Sequence, residues 1–416
     1  MYRFFFIFLF SFSSYGQLSY ERTVTQHLCS PELQGRGYVN GGDSLAAIYI
    51  ATEFQKLGIQ PYGSDYYQSF FFEVNTFPGA MEVKLNGNTL KPGVDYIVDP
   101  SSGKGNENAP MRVFSIKDIF DDTFFKCIDS CRNGLIIPVI DPSGTKNADT
   151  LKSIRNLAHD LATKICPVVL LQKEKFTWSV DQTQYKFPSI VIQDSVFEKG
   201  SIEIHVDAQL KRHQANNIIA YLPATGKCKK TIVLSAHYDH LGRMGQEAYF
   251  PGGNDNASGT AMLLSMAKEL KGNNPSISYV FIAFAGEEAG LLGSHYYVQH
   301  PLFPLKKIDF LLNLDIMGSG EDGITAVNAT VFPKIFDQLN TINEEKHYVT
   351  VIKKRGKAAN SDHYWFTENN VPSFFFYTMG PNKHYHDVYD TYEELSFSAF
   401  NSIKQLILDF VKTTKF

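Results

Sequence analysis

The run ISYVFIAFAG, residues 277–286, is apolar nearly throughout. A strand with one wet face alternates apolar and polar residues. A strand without alternation is buried on both faces, as happens in a parallel sheet covered by helices on either side. The surrounding sequence agrees. After residue 215, strands and helices alternate: NNIIAYL and TIVLSAH, the helix GTAMLLSMAKELKG stopped by Gly272, then 277–286 itself. A helix from about 287, the strand DFLLNLD, a helix near 331–346, the strand PSFFFYT and a last helix over about 396–412 follow. That order predicts an α/β domain whose mixed, largely parallel sheet is sandwiched by helices. Thr391 and Glu394 fit a capping box opening the last helix.

Upstream, DSLAAIYIATEFQKL (43–57) reads as an amphipathic helix ending at Gly58. From about residue 79 the texture changes. MEVKLNGNTLKPGVDYIV predicts a hairpin turning at Asn86-Gly87, and short strands follow, interrupted by one helix near 149–163. Residues 79–210 are therefore read as an inserted, mostly β domain, with 17–78 and 211–416 the two parts of the main domain.

The first residues, MYRFFFIFLFSFSSYGQ, pair a short positive start with an apolar stretch and small residues near Gly16. This is a signal-peptide pattern with cleavage after Gly16, and it predicts export to a periplasmic or extracellular location. No later segment is long and apolar enough to span a membrane. A net charge of -4, without a basic stripe, excludes nucleic acid as the expected partner. The five cysteines include no CxxC pair, which argues against thiolate zinc. Cys127 and Cys131 are neighbours if CIDSC is helical.

Three apolar strands end in groups that bind protons or metals. TIVLSA ends at His237, YVFIAFAG at Glu287-Glu288 and FLLNL at Asp315. Ligands of open parallel sheets bind at the carboxyl ends of strands, and a charge buried there must be paired or metal-bound. Asp255 lies in the Gly- and Asn-rich loop PGGNDNASG, and His386 and Asp390 lie in HYHDVYDTYEEL. Singly, each has a plain explanation: Asp255 as a turn residue, Glu287 and Glu288 as first-turn helix acids, His237 as a core histidine. Their convergence at strand ends favours a metal site.

Taken in order, HYDHLG, GGNDNASG, FAGEEAGLLGS, NLDIMG and HYHDVYDT resemble the M28 family of zinc peptidases, the aminopeptidases with co-catalytic metals. LQGRGYVNGGDSLAAIYIATEFQKLGI and SDHYWF are similar to further family segments. The likeness covers about 20–78 and 212–416, and the insertion resembles a protease-associated domain. The resemblance implies a zinc-exopeptidase, phosphorylase/hydrolase-like architecture and a peptide substrate. It implies that His237 and Asp315 hold one Zn2+ and that Glu288 and His386 hold the other. Asp255 then bridges the two ions, and Glu287 is the general base. It also implies a cis Asp255-Asn256 bond.

Under that assignment each ion receives one imidazole, one carboxylate of its own and one oxygen of Asp255, with water completing four positions. Nitrogen and oxygen ligands suit zinc and tolerate Co2+ or Mn2+. Asp239, two residues from His237 at the strand end, is placed to orient an imidazole from behind. Asp362 and Asp390 are read as further supports. His240 is expected to point away as a bystander, His384 to be a solvated loop residue, and Gly35-Arg36-Gly37 to be a turn. The leading expectation is an exported aminopeptidase. A carboxypeptidase of the same family, a glutaminyl cyclase-like acyltransferase using a single zinc, and a non-catalytic binding module are the alternatives.

Overall fold

The computed structural model of the chain describes residues 19–272 and 276–416. The signal-peptide segment read at residues 1–16 lies outside them. Among the described residues the main sheet has nine strands. Its centre is parallel: Ile277–Phe284, Lys230–His237, Phe310–Leu314 and Ser373–Thr378 lie side by side in that order. Every residue of Ile277–Phe284 is buried, as its unbroken apolar run requires. Successive side chains of a strand point to opposite faces, and the two faces have separate cores. Ile232, Leu234 and Ala236 pack with helices Gly42–Leu57, Gly259–Leu270 and Phe400–Thr413. Val233, Val280, Ile282 and Phe284 pack with helices Leu292–Gln299 and His363–Glu368. Antiparallel strands flank this centre on both sides, which makes the sheet mixed.

Gly58 ends its helix in the left-handed conformation, with its N–H returned to Gln55 O and Phe54 O. Two other helix ends differ from expectation. The helix after Glu287 begins only at Leu292. Residues 287–291 form a tight turn, with the N–H groups of Gly290 and Leu291 on the Glu287 carbonyl. The last helix begins at Phe400, and Thr391 makes no side-chain cap bond. A single turn of 3-10 helix, Tyr392–Glu394, stands where the capping box was expected, because the chain leaves helical geometry at Leu395.

The strands between Met81 and Val206 form a separate eight-stranded sheet. Its hairpin turns at Asn86 and Gly87, both at positive φ (49° and 82°), as a two-residue turn demands. The structure adds a parallel core that the hairpin reading did not foresee. Gly105–Ser115, Ile137–Asp141, Val168–Gln172 and Ser189–Gln193 run parallel, with helix Ala148–Lys164 as a crossover. The long strand Gln209–Leu222 returns to the main sheet by pairing with Tyr67–Thr76. The five cysteines are free thiols, Cys127 in a 3-10 turn and Cys131 in the short helix after it. Among the described residues no helix is long and apolar enough to cross a membrane.

Candidate metal centre

His237 is the last residue of its strand, and Asp315 follows the strand beside it. The loop bearing Asp255 is welded between the two strand ends. Asn256 donates to the carbonyls of His237 (3.2 Å) and Leu314 (3.1 Å) and accepts from the N–H groups of Gly259 and Ile316. A Cβ on Gly259 would lie 2.1 Å from Asn256 Oδ1 and 2.6 Å from the Leu314 carbonyl, so only glycine fits this crossing. The Asp255-Asn256 peptide is cis.

These elements bring the predicted ligands together. His237 Nε2 lies 3.3 Å from Asp255 Oδ1 and 3.4 Å from Asp315 Oδ2. His386 Nε2 lies 3.1 Å from both Asp255 Oδ2 and Glu288 Oε2. Asp255 thus gives one oxygen to each imidazole. Donor atoms of His240, Asp255, Glu288 and His386 fall within 4.8 Å of one another, as do those of His237, Glu287 and Asp315.

The orientation of the imidazoles tests whether metal fits. His237 Nδ1 faces the Asp239 carbonyl at 3.1 Å, and His386 Nδ1 faces the Trp178 carbonyl at 2.9 Å. A carbonyl only accepts, so each Nδ1 carries the proton. In the neutral rings both Nε2 lone pairs then point at carboxylate oxygens, an arrangement that calls for a cation between them. Ligand bonds of about 2.0–2.2 Å in a tetrahedron separate neighbouring donors by about 3.3–3.5 Å, close to the distances above. Asp315 Oδ1 is buried without a hydrogen-bond partner, an orphan that a cation would satisfy. The residues fit divalent zinc.

The electrostatics agree. Burial opposes charge on His237, yet the carboxylates of Glu287 and Asp315 hold its proton affinity well above the ordinary value. Burial likewise opposes charge on His386, where Glu288 and Asp255 prevail and raise it to about 11. The cluster demands positive charge. Burial pushes Glu287 well above the usual carboxylate range, with Glu288, Asp362 and Asp315 adding repulsion and His237 opposing.

The supports differ from expectation in route. Asp239 does not grip His237 through its carboxylate, which stays 3.8 Å from Nδ1. Instead it accepts the backbone N–H groups of Glu287 (3.3 Å) and Glu288 (3.2 Å) and the Tyr38 hydroxyl (2.5 Å). It fixes the turn that carries both glutamates. Asp390 accepts the N–H groups of Asn254 and Asp255 at 2.8 and 3.0 Å. Asp362 is fully buried near Glu287 and Asp315, and burial raises it to about 7. The Ser294 hydroxyl beside it donates to the Leu291 carbonyl. His240 is no bystander: it is buried, with Nδ1 2.7 Å from Glu288 Oε1, opposite the oxygen that faces His386. Strand alternation misleads there, because the strand stops at His237 and the chain turns.

Other residues had no local signal. Arg36 is buried and donates to the carbonyls of Tyr238, Leu28, Pro251 and Gly252 at 2.7–2.8 Å, clamping the approach to Asp255. Tyr385, about half exposed, stacks on His386 with ring centroids 3.9 Å apart, and partial burial first and the site carboxylates second raise the proton affinity of its phenol. A cleft of about 510 Å³ opens beside Asp255, lined by Ile316, Tyr377, Met379, His384 and Tyr385 among others.

Residues 217–411 match Peptidase family M28. Aminopeptidase YwaD of Bacillus subtilis is 31% identical over 192 residues, a match spanning 42% of this chain and 39% of that protein. A probable leucine aminopeptidase of Arthroderma otae is 25% identical over 325 residues, covering 70% of this chain and 82% of that one. Among solved structures, a zinc aminopeptidase from Bacillus subtilis superposes with a TM-score of 0.68 at 20% identity, over 95% of this chain and 96% of that one.

Proposed function

The chain carries a peptidase domain of family M28, and from that premise we propose that it is a two-zinc aminopeptidase releasing N-terminal residues from peptides. The observation that carries this reading is the pair of Nε2 lone pairs, each turned onto carboxylate oxygens, with Asp255 common to both. His237, Asp255 and Asp315 would hold one ion; His386, Glu288 and Asp255 the other. Zinc bound there supplies Lewis acidity, which polarises a carbonyl and makes water easier to deprotonate.

The chain's own groups do the rest. Glu287 takes a proton from the attacking water and delivers it to the amine nitrogen that leaves. The Tyr385 hydroxyl, on the ring stacked against His386, donates a hydrogen bond to the carbonyl oxygen as that oxygen gains charge. The cleft beside Asp255 receives a side chain of the substrate. The choice of a free α-ammonium end over a C-terminal carboxylate follows the aminopeptidases that this chain is similar to. Asp239 and Asp390 hold the turn and the loop that carry these groups.

The experiment is a panel of free-amine and acyl-blocked peptides, assayed with wild type and Glu287→Gln, alongside metal analysis. Two zinc ions per chain, cleavage of free-amine peptides only, and a rate lower by about 10²–10⁴ in the variant with zinc content unchanged are expected. Preference for blocked N-termini, or fewer than two ions, overturns the reading. Export directed by the segment ending at Gly16 completes the proposal. The intact mass of protein recovered outside the cytoplasm should begin at Gln17, and a mass retaining Met1 refutes it.

A further inference from the structure

Segment 173–187 leaves the inserted sheet after strand Val168–Gln172 and crosses to the peptidase domain before strand Ser189–Gln193 begins. In it Phe176 and Trp178 are buried while Thr177 and Ser179 are exposed, the period of extended chain. The backbone N–H and C=O of Trp178 therefore leave on one side, and both meet the same residue. The N–H donates to the His386 carbonyl at 2.9 Å, and the carbonyl accepts from His386 Nδ1 at 2.9 Å.

Trp178 is itself anchored. Its Nε1 donates to the Val98 carbonyl at 2.7 Å, and its indole stacks on Phe250 with centroids 4.7 Å apart. Three residues upstream, Lys175 Nζ donates to the carbonyls of Lys383 (2.8 Å) and Tyr385 (3.3 Å) and pairs with Asp387 Oδ2 (2.9 Å). His386 needs such support, for its φ of 54° is the left-handed conformation that a residue with a Cβ rarely adopts. On the opposite shoulder Gln182 Nε2 donates to the Ala289 carbonyl at 2.9 Å, next to Glu288.

We propose that the inserted domain is a working part of the metal centre. Trp178 is a positioning residue that fixes the tautomer and direction of His386, and Lys175 staples the loop that carries it. This rests on the reading of His386 as a zinc ligand. His237 takes the equivalent carbonyl from Asp239, inside its own domain, so loosening the segment should affect one zinc site and spare the other.

The test uses the full chain loaded with Zn2+ and titrated against a competing chromophoric chelator, with zinc per chain measured after dialysis. Trp178→Ala should weaken one site about 10–100-fold and move the other by less than about twofold. His386→Ala should abolish that same site. Trp178→Phe, which keeps the stack on Phe250, should recover most of the loss. Lys175→Met, at the surface, should weaken the same site several-fold and decides the matter if Trp178→Ala fails to fold. Two unchanged sites in both Trp178→Ala and Lys175→Met, with one site lost in His386→Ala, sink this proposal alone. Equal weakening of both sites overturns it as well. Two intact sites in His386→Ala sink the ligand assignment beneath it.

Discussion

In the main domain Glu21, Arg36, Asp43, Asp239 and Lys404 are buried along with the candidate ligands, whereas among the described residues from 81 to 206 no charged or imidazole side chain is buried. The inserted sheet closes over apolar cores and keeps its ion pairs, such as Lys164–Asp160 and Arg132–Asp129, at the surface. Burying a charge is unfavourable unless it is paired and hydrogen-bonded. The inserted domain avoids that demand. The main domain accepts it, and nearly every such group leads back to the carboxylate–imidazole cluster or to the helices that frame it. The polar contacts between the two parts include Asn75 on the carbonyls of Pro100 and Ser102 and, in segment 173–187, Lys175 and Trp178 on the His386 loop.

The sharpest way to break this contrast is at Asp239, which receives the N–H groups of both glutamates. Asp239→Asn turns an acceptor oxygen into a donor facing donors. Zinc affinity should fall about 10–100-fold, and kcat should fall with it, because Glu287 loses its placement. Tyr38→Phe removes only one of the three donors and should cost several-fold at most. Chelator competition and steady-state kinetics on the two variants check this. Wild-type behaviour in Asp239→Asn would mean that the buried acid is ordinary scaffolding.

Much of this organisation was legible before any coordinates. Apolar runs without alternation give strands buried on both faces, and Gly58 and Asn86-Gly87 mark chain reversals by conformational need. The candidate ligands lie at strand ends and in two loops, where short motifs record them. What escaped has a common physical reason. His386 and Trp178 are 208 residues apart in the chain, and their bond is to a backbone carbonyl, which any residue offers. Arg36 satisfies its guanidinium with carbonyls alone, so no acidic partner in the sequence betrays it. His240 and the helix at Leu292 were misread because the periodicity that governs an element fails where the chain turns out of it.

A milder test compares how the two sheets hold charge. Lys404 Nζ, buried, lies 2.8 Å from Glu21 Oε1 and 3.2 Å from Ser265 Oγ, tying helix Ser19–Leu28 to helices Gly259–Leu270 and Phe400–Thr413. Lys404→Met leaves Glu21 buried and unpaired and should destabilise the chain by about 3–5 kcal/mol in denaturant unfolding. Glu21→Gln in the same chain should restore much of that. Burial raises the Glu21 proton affinity, but Lys404 and Ser265 overcome it, so its folded pKa lies below the ordinary value of 4.5. A depressed carboxylate stabilises the fold above its unfolded pKa and loses that contribution as pH falls through the folded one. The gap between wild type and Lys404→Met should therefore be full at high pH and narrow as pH falls, first as the buried, unpaired Glu21 of the variant takes up its proton and then through the depressed pKa of the wild-type group. The exposed pair Lys164–Asp160 makes the contrast: Lys164→Ala should leave the denaturant midpoint essentially unchanged. A loss there as large as at Lys404 would mean that burial is not what distinguishes the two sheets.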